Sequence, residues 1–282
     1  MLSGKTKKKA FRALRYLLIA VLLVILLFPV WWMLVGSARP GYKLISLDDV
    51  AFWPKNFTLE NYTKIFSKVK YIGYFKNSFL VSAGTVAVTL FVAMPAAYSF
   101  SRFRFKGKNG VLSSIQSVQM FPIVVILVSL YTFYNKWGML NTYRGMILAD
   151  VTFSLPLAIT LLKSFFDTVP RALDESAKMD GAGRLRTMMQ IIMPLVQPGV
   201  IAVAVYTFLT SWDDYLMALT ISRVEEKRTL AVGLAQSFMG EYSNDYGALM
   251  AFSVAGSLPI VLLFVFFQRY MVEGMTAGAV KG

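Results

Sequence analysis

The chain alternates between long stretches without charge and short polar connections. Leu17–Val35 contains no Asp, Glu, Lys or Arg, and neither does Asn77–Ser101. Crossing a bilayer core of about 30 Å takes roughly 20 apolar residues in a helix. Backbone groups in lipid must be paired within the segment, so such runs are helices. Barrel strands are excluded, since they alternate in polarity and are only about 10 residues long. The pattern predicts an all-α integral membrane protein with six transmembrane helices, at about 17–36, 77–100, 111–134, 144–166, 196–220 and 249–270. The whole of 1–282 reads as a single transmembrane domain.

An even number of spans puts both termini on one side. Lys5, Lys7, Lys8, Lys9, Arg12 and Arg15 precede the first span, and Arg102, Arg104, Lys106 and Lys108 crowd the short connection after the second. Basic loops stay in the cytoplasm, so the termini are expected there. The first apolar run exceeds the usual length of a signal-peptide core, and Ser37-Ala38-Arg39-Pro40 is a poor cleavage context, which points to an uncleaved first span.

Two connections are too long for simple turns. In 37–76, Thr58 can cap a short helix ending near Phe66, with Leu59, Tyr62 and Phe66 on one face. Asn56-Phe57-Thr58 and Asn61-Tyr62-Thr63 match glycosylation acceptors and are expected to be unused. On the cytoplasmic side, 167–195 is patterned. Thr168 and Pro170 suit a helix start, Asp174 and Lys178 are spaced for an i,i+4 pair, and Gly181 and Gly183 stop the helix. A second amphipathic turn follows, with Leu185, Met188 or Met189, and Ile192 on one side, before Pro194 and Pro198 lead into span five. The expectation is two short helices along the membrane surface. Ala172, Ser176 and Ala177 give the first a shallow face that a partner's groove could close around, although an ordinary capped interfacial loop fits the same spacing.

Composition narrows the chemistry. Of 282 residues, 56% are hydrophobic, and the net charge is +14 with neither Cys nor His. That removes disulfide frameworks, Cys or His metal sites and His-based triads. The positive residues fall in loops between spans, an orientation pattern rather than a nucleic-acid surface. Gly4-Lys5-Thr6 lacks the first glycine and preceding strand of a phosphate-binding loop, and Gly181-Ala182-Gly183 lacks the rest of a dinucleotide fingerprint. No catalytic constellation, metal site or nucleotide site is predicted, so energy for any transport comes from elsewhere.

Asp150 falls inside span four. Buried carboxylates in membranes mark pathways or ion sites, but this one lies near the outer end, where water or a neighbour could satisfy it. Asp213 and Asp214 follow Trp212 with the same two readings. Tyr206, Phe208, Trp212 and Asp213 occupy the outer half of span five, and Phe208 and Trp212 share a face. Such a face could stack on sugar rings or anchor at the membrane interface. Pro29, Pro95, Pro122, Pro156 and Pro259 interrupt spans and are expected to kink them.

The segment Asp174-Glu175-Ser176-Ala177-Lys178-Met179-Asp180-Gly181-Ala182, followed by Ile192-Met193-Pro194, resembles the cytoplasmic coupling loop of permease subunits of bacterial carbohydrate ABC importers, with Ser176 in place of the commoner Ala. Matching stretches run along nearly the whole chain: Phe57-Thr58-Leu59-Glu60-Asn61-Tyr62, Ala96-Ala97-Tyr98, Ser101-Arg102-Phe103, Gln119-Met120-Phe121-Pro122, Leu140-Asn141-Thr142, Leu162-Lys163-Ser164-Phe165-Phe166-Asp167 and Gly274–Gly282. The chain is most similar to the smaller permease of maltose and maltodextrin importers. Asp150 departs from that pattern, which generally has an uncharged residue there.

The resemblance implies a type I importer permease fold in the bacterial cytoplasmic membrane. It implies three kinds of partner: a second homologous permease, a homodimer of cytoplasmic ATPases that binds the ATP and magnesium, and an extracytoplasmic sugar-binding protein. Closure of the ATPases would push on 171–182, with Glu175 and Gly181 anchoring the contact, Asp174 and Asp180 at its rim, and Ser176, Ala177 and Ala182 between them; the C-terminal tail would reach the ATPases too. Gln119, Phe208, Trp212 and Asp213 are the candidates for the sugar path, although in the maltose system the larger permease makes most sugar contacts. Maltodextrin or maltose is the first expectation for cargo, ahead of galactosides or other plant-derived oligosaccharides. The competing class is a secondary transporter coupled to ions through Asp150 and Asp213. It lacks support from any inverted repeat.

Overall fold

A computed structural model of the protein describes residues 4–40, 52–53, 56–238 and 245–279, with only the backbone course given for 4–10 and 271–279. The side chains of Lys5 to Lys9, and the tail's expected reach to a partner, therefore fall outside the described residues. Among the described residues every regular element is helical.

Four helices are long and apolar enough to cross a membrane: α1 (Gly4–Ser37), α3 (Val69–Arg102), α6 (Tyr143–Thr168) and α13 (Tyr246–Ala279). The number rises to six if each of two sharply bent pairs counts as one span. These are the two places where the predicted boundaries need correction. The span expected at 111–134 is α4 (Lys108–Ser117), a 3₁₀ turn at Val118–Met120 and α5 (Ile123–Lys136), bent by 97°. Pro122 is the cause. It has no N–H to donate and pushes the residue before it into extended backbone, as Phe121 shows with φ −79° and ψ 134°. The span expected at 196–220 ends early, because α10 covers only Gln197–Trp212. Asp214 then starts a separate helix, α11 (Leu216–Ile221): its carboxylate accepts from the N–H groups of Met217 (3.3 Å) and Ala218 (2.8 Å).

The chain divides into two compact units. The first comprises residues up to Lys68 together with Leu234–Ser257. Its short helix α2 (Glu60–Ser67) forms where expected, and Thr58 Oγ1 accepts from Glu60 N at 3.1 Å. The buried face differs from the prediction. Asn61 and Ile65 point inward, whereas Leu59 and Phe66 are exposed. Asn61 decides this, because its amide donates to the carbonyls of Ser37 (2.9 Å) and Arg39 (2.6 Å), capping the end of α1. The Asn61 acceptor tripeptide is thereby consumed by the fold. The remaining helices are α12 (Leu230–Phe238), whose end meets Phe252 of α13 with ring centroids 5.6 Å apart within this unit, and α1 itself, whose apolar side chains are mostly exposed, as a lipid-facing helix requires.

The second unit comprises Val69–Gly233 and Leu258–Gly282 and is organised by α3, α6 and α10. Small residues bring α3 and α6 close: Ala93 and Ala97 on one and Ala158 on the other are fully buried, with Leu162 and Phe166 filling the space beside them. A second cluster joins Val81 of α3, Met146 and Ala149 of α6, Tyr134 of α5, and Met217, Ala218 and Ile221 of α11. At the start of α3, Lys70 Nζ (3.1 Å) and Tyr74 Oη (3.0 Å) donate to Glu225, which holds that exposed carboxyl below its usual range. Between α6 and α10 lie α7 (Ala172–Met179) and a run from Arg184 to Leu195 in which α8 (Arg184–Arg186) and α9 (Met193–Leu195) flank a π-helical turn at Thr187–Ile192. That run meets α10 at 84°.

Candidate coupling site

Helix α7 is short because its end is locked. Gly181, with φ of 75°, is the left-handed residue of a Schellman motif: Ala182 N donates to Ala177 O at 2.9 Å and Gly181 N to Lys178 O at 3.1 Å. Within the helix, Asp174 and Ala177 lie three apart and turn inward, Ala177 being 2% exposed. Glu175, Ser176, Asp180 and Gly181 face outward, together with the apolar Met179, and Ala182 is half-buried beside them.

The expected Asp174–Lys178 pair is replaced by a stronger arrangement. Tyr98 Oη donates to Asp174 Oδ1 at 2.6 Å, and Arg102 Nε lies 3.0 Å from Asp174 Oδ2 with its own side chain only 6% exposed. Asp174 thus belongs to the junction between α7 and α3, not to the outer rim. A second chain of bonds joins the same helices to α6. Arg171 donates to the Ser101 carbonyl (3.2 Å), the Ser101 hydroxyl donates to Asp167 (2.7 Å), and Lys163 pairs with Asp167 at 2.5 Å. These contacts fasten α7 to the end of α3 and, through Ser101, to the end of α6. Tyr98 also meets the rings of Phe103 and Phe166 edge-on, and Arg184 lies over Phe103 at 4.9 Å.

In the following turn the expected pairing of Met188 with Ile192 is found and Leu185 departs from it. Met188 and Ile192 are buried, whereas Leu185 and Met189 are exposed. The π turn shifts the register: an extra residue per turn puts 188 and 192 under the helix and leaves 185 and 189 outside. The buried partners of Asp174 were not among the predicted site residues. Tyr98 and Arg102 lie at the end of an apolar helix, with nothing local in the sequence to tie them to residue 174.

Of the sugar-path candidates, Phe208 and Trp212 lie together. Phe208 and Trp212 stack at 5.5 Å, and Phe208 also meets Phe79 of α3 edge-on at 6.2 Å. Trp212 is 4% exposed, so its ring is spent on packing, while Asp213 and Gln119 are exposed. Asp150 is buried and takes a hydrogen bond from Ser211 Oγ at 2.5 Å, with Thr85 Oγ1 3.5 Å from the same hydroxyl.

Residues 88–277 match the family described as binding-protein-dependent transport system inner membrane component. The inner membrane ABC transporter permease protein YcjP of Escherichia coli (strain K12) is 37% identical over 94% of each chain. The trehalose/maltose transport system permease protein MalG of Thermococcus litoralis is 34% identical over 92% of this chain and 93% of its own. In fold, the chain matches a subunit of the crystal structure of a bacterial ABC transporter involved in import of the acidic polysaccharide alginate, with a TM-score of 0.83 over 96% of this chain and 99% of that one at 20% identity. The chain therefore belongs to the family of binding-protein-dependent transport system inner membrane components. It is a multi-pass membrane permease of a sugar ABC importer, a transport component and not an enzyme.

Proposed function

We propose that this permease couples the ATP-driven closure of a cytoplasmic ATPase dimer to the opening of an oligosaccharide path, and that α7 is the part the ATPases grip. The observation that carries the reading is the division of α7 into two faces: Glu175, Ser176, Met179, Asp180 and Gly181 outside, and Asp174 and Ala177 rooted in α3. A push on the outer face is delivered through Asp174 and Arg171 to the ends of α3 and α6. A second homologous permease would complete the path, and an extracytoplasmic binding protein would deliver the sugar. Maltose or maltodextrin is the proposed cargo, supported by the likeness to a trehalose/maltose permease. Within this subunit, the exposed Gln119 and Asp213 are the residues proposed to meet it, with Phe208 and Trp212 shaping the wall behind.

Placing an unmatched charge in a closed interface costs several kcal/mol. Glu175→Lys and Gly181→Asp are therefore expected to abolish ATP-driven uptake in the reconstituted transporter while the spans still insert; Gly181→Asp also strains the left-handed position by about 1 kcal/mol. Uptake at the wild-type level by both variants, with the ATPase still co-purifying, overturns the coupling role of α7. Uptake that follows an ion gradient and ignores ATP overturns the ATP-driven reading altogether. Labelled maltodextrin set against galactosides in the same assay decides the cargo.

A further inference from the structure

Between α7, the end of α3 and the turn at 182–187 lies a cavity of about 430 Å³. Its lining includes four cations, Arg102, Arg171, Lys178 and Arg184, against two carboxylates, Asp174 and Glu175. Asp174 is already engaged by Tyr98 and by the Nε side of Arg102. The Nε and Nη2 of Arg102 are buried and, like the Asp174 Oδ2 beside them, make no hydrogen bond among the described residues. A buried guanidinium nitrogen left without an acceptor is costly, and an excess of positive charge in a recess makes an anion the natural remedy. Oxyanions of phosphate match the forked geometry of arginine. The recess also sits at the end of a membrane-spanning helix, since Arg102 is the last residue of α3, with the exposed apolar Leu185 on the same turn of chain as Arg184. A basic recess beside the end of a span suits the head of an anionic lipid.

We propose that this cavity binds a phosphate oxyanion, supplied by the headgroup of an anionic phospholipid, and that the bound phosphate stiffens the joint between α7 and α3. The proposal rests on the reading that 167–195 faces the cytoplasm, but its test does not depend on transport. The assembled transporter is placed in nanodiscs of phosphatidylcholine alone or mixed with phosphatidylglycerol. Retained lipid is then measured by native mass spectrometry and stability by thermal melting. Phosphatidylglycerol is expected to be retained and to raise the melting temperature. The double variant Lys178→Gln/Arg184→Gln is expected to lower that retention about thirtyfold, whereas Arg223→Gln/Lys227→Gln, on cations remote from the cavity, leaves it unchanged. Inorganic phosphate added to the phosphatidylcholine discs tests the other source: a rise in melting temperature that the double variant abolishes supports the site with soluble phosphate as its occupant. No response to either probe, or the same response in the double variant, overturns the proposal. So does a double variant that loses the co-purifying ATPase and nothing else, which would make a partner's carboxylate the occupant.

Discussion

Asp150 is a carboxylate inside a membrane bundle that no cation neutralises in the contacts described. Hydroxyls from two other helices surround it instead: Ser211 of α10 donates to it, and Thr85 of α3 stands beside Ser211. Such a node ties α3, α6 and α10 together, and leaving a buried partner unpaired costs about 1–3 kcal/mol. Asp150→Asn keeps an acceptor for Ser211 and is expected to leave both stability and ATP-driven uptake close to wild type. Asp150→Leu strands Ser211 and is expected to lower stability by about 1–3 kcal/mol, read as a lower melting temperature of the purified complex. An ion-coupling carboxylate behaves otherwise, since Asp150→Asn would then abolish uptake at unchanged stability. The sequence disclosed the buried charge, because a lone Asp in an apolar run is visible by itself. It could not disclose the partners, which lie on helices far away along the chain. Trp212 illustrates the same limit. Its shared face with Phe208 follows from helical spacing and is present as a stack, but burial of that face depends on Phe79 of α3, which no local pattern announces.

Elements were legible where one residue type forces the backbone, and less so where a distant contact chooses the face. The end of α7 at Gly181 and the lead-in to α10 after Pro194 are cases of the first kind. The break at Pro122 was written just as plainly, yet a proline in a membrane helix is as compatible with a mild kink as with a bend of 97°. The inward turn of Met188 and Ile192 and the inward Asn61 are cases of the second kind. Close approach of α6 and α10 adds a constraint that sequence does not show at all. Gly199 faces the ring of Phe165 so tightly that a Cβ there would overlap the ring carbons. Gly199→Ala is expected to cost about 1–3 kcal/mol by overpacking, seen as a lower melting temperature and less assembled complex. Adding Phe165→Leu should recover part of the loss. A Gly199→Ala protein as stable as wild type would mean that the two helices separate freely at this point.

At the scale of the whole molecule, the span pattern carried the fold class, because hydrocarbon length and backbone pairing leave few alternatives. The side of the membrane proposed for α7 rests on a separate physical asymmetry, the basic residues before α1 and after α3. Topology can be read directly, since the chain contains no cysteine and single ones can be placed at will. Glu60 and Asp180 are both exposed on their elements, so a cysteine at either position is open to reagent without disturbing a packed contact. With the termini cytoplasmic, an impermeant thiol reagent applied to intact cells should modify Glu60→Cys and spare Asp180→Cys, and lysis should expose the second. Modification of Asp180→Cys in intact cells would place α7 outside, away from any ATP, and the coupling reading would fall with it. Modification of neither before lysis would put both positions inside and require an even number of crossings between them, against the three of α3, the bent α4–α5 pair and α6.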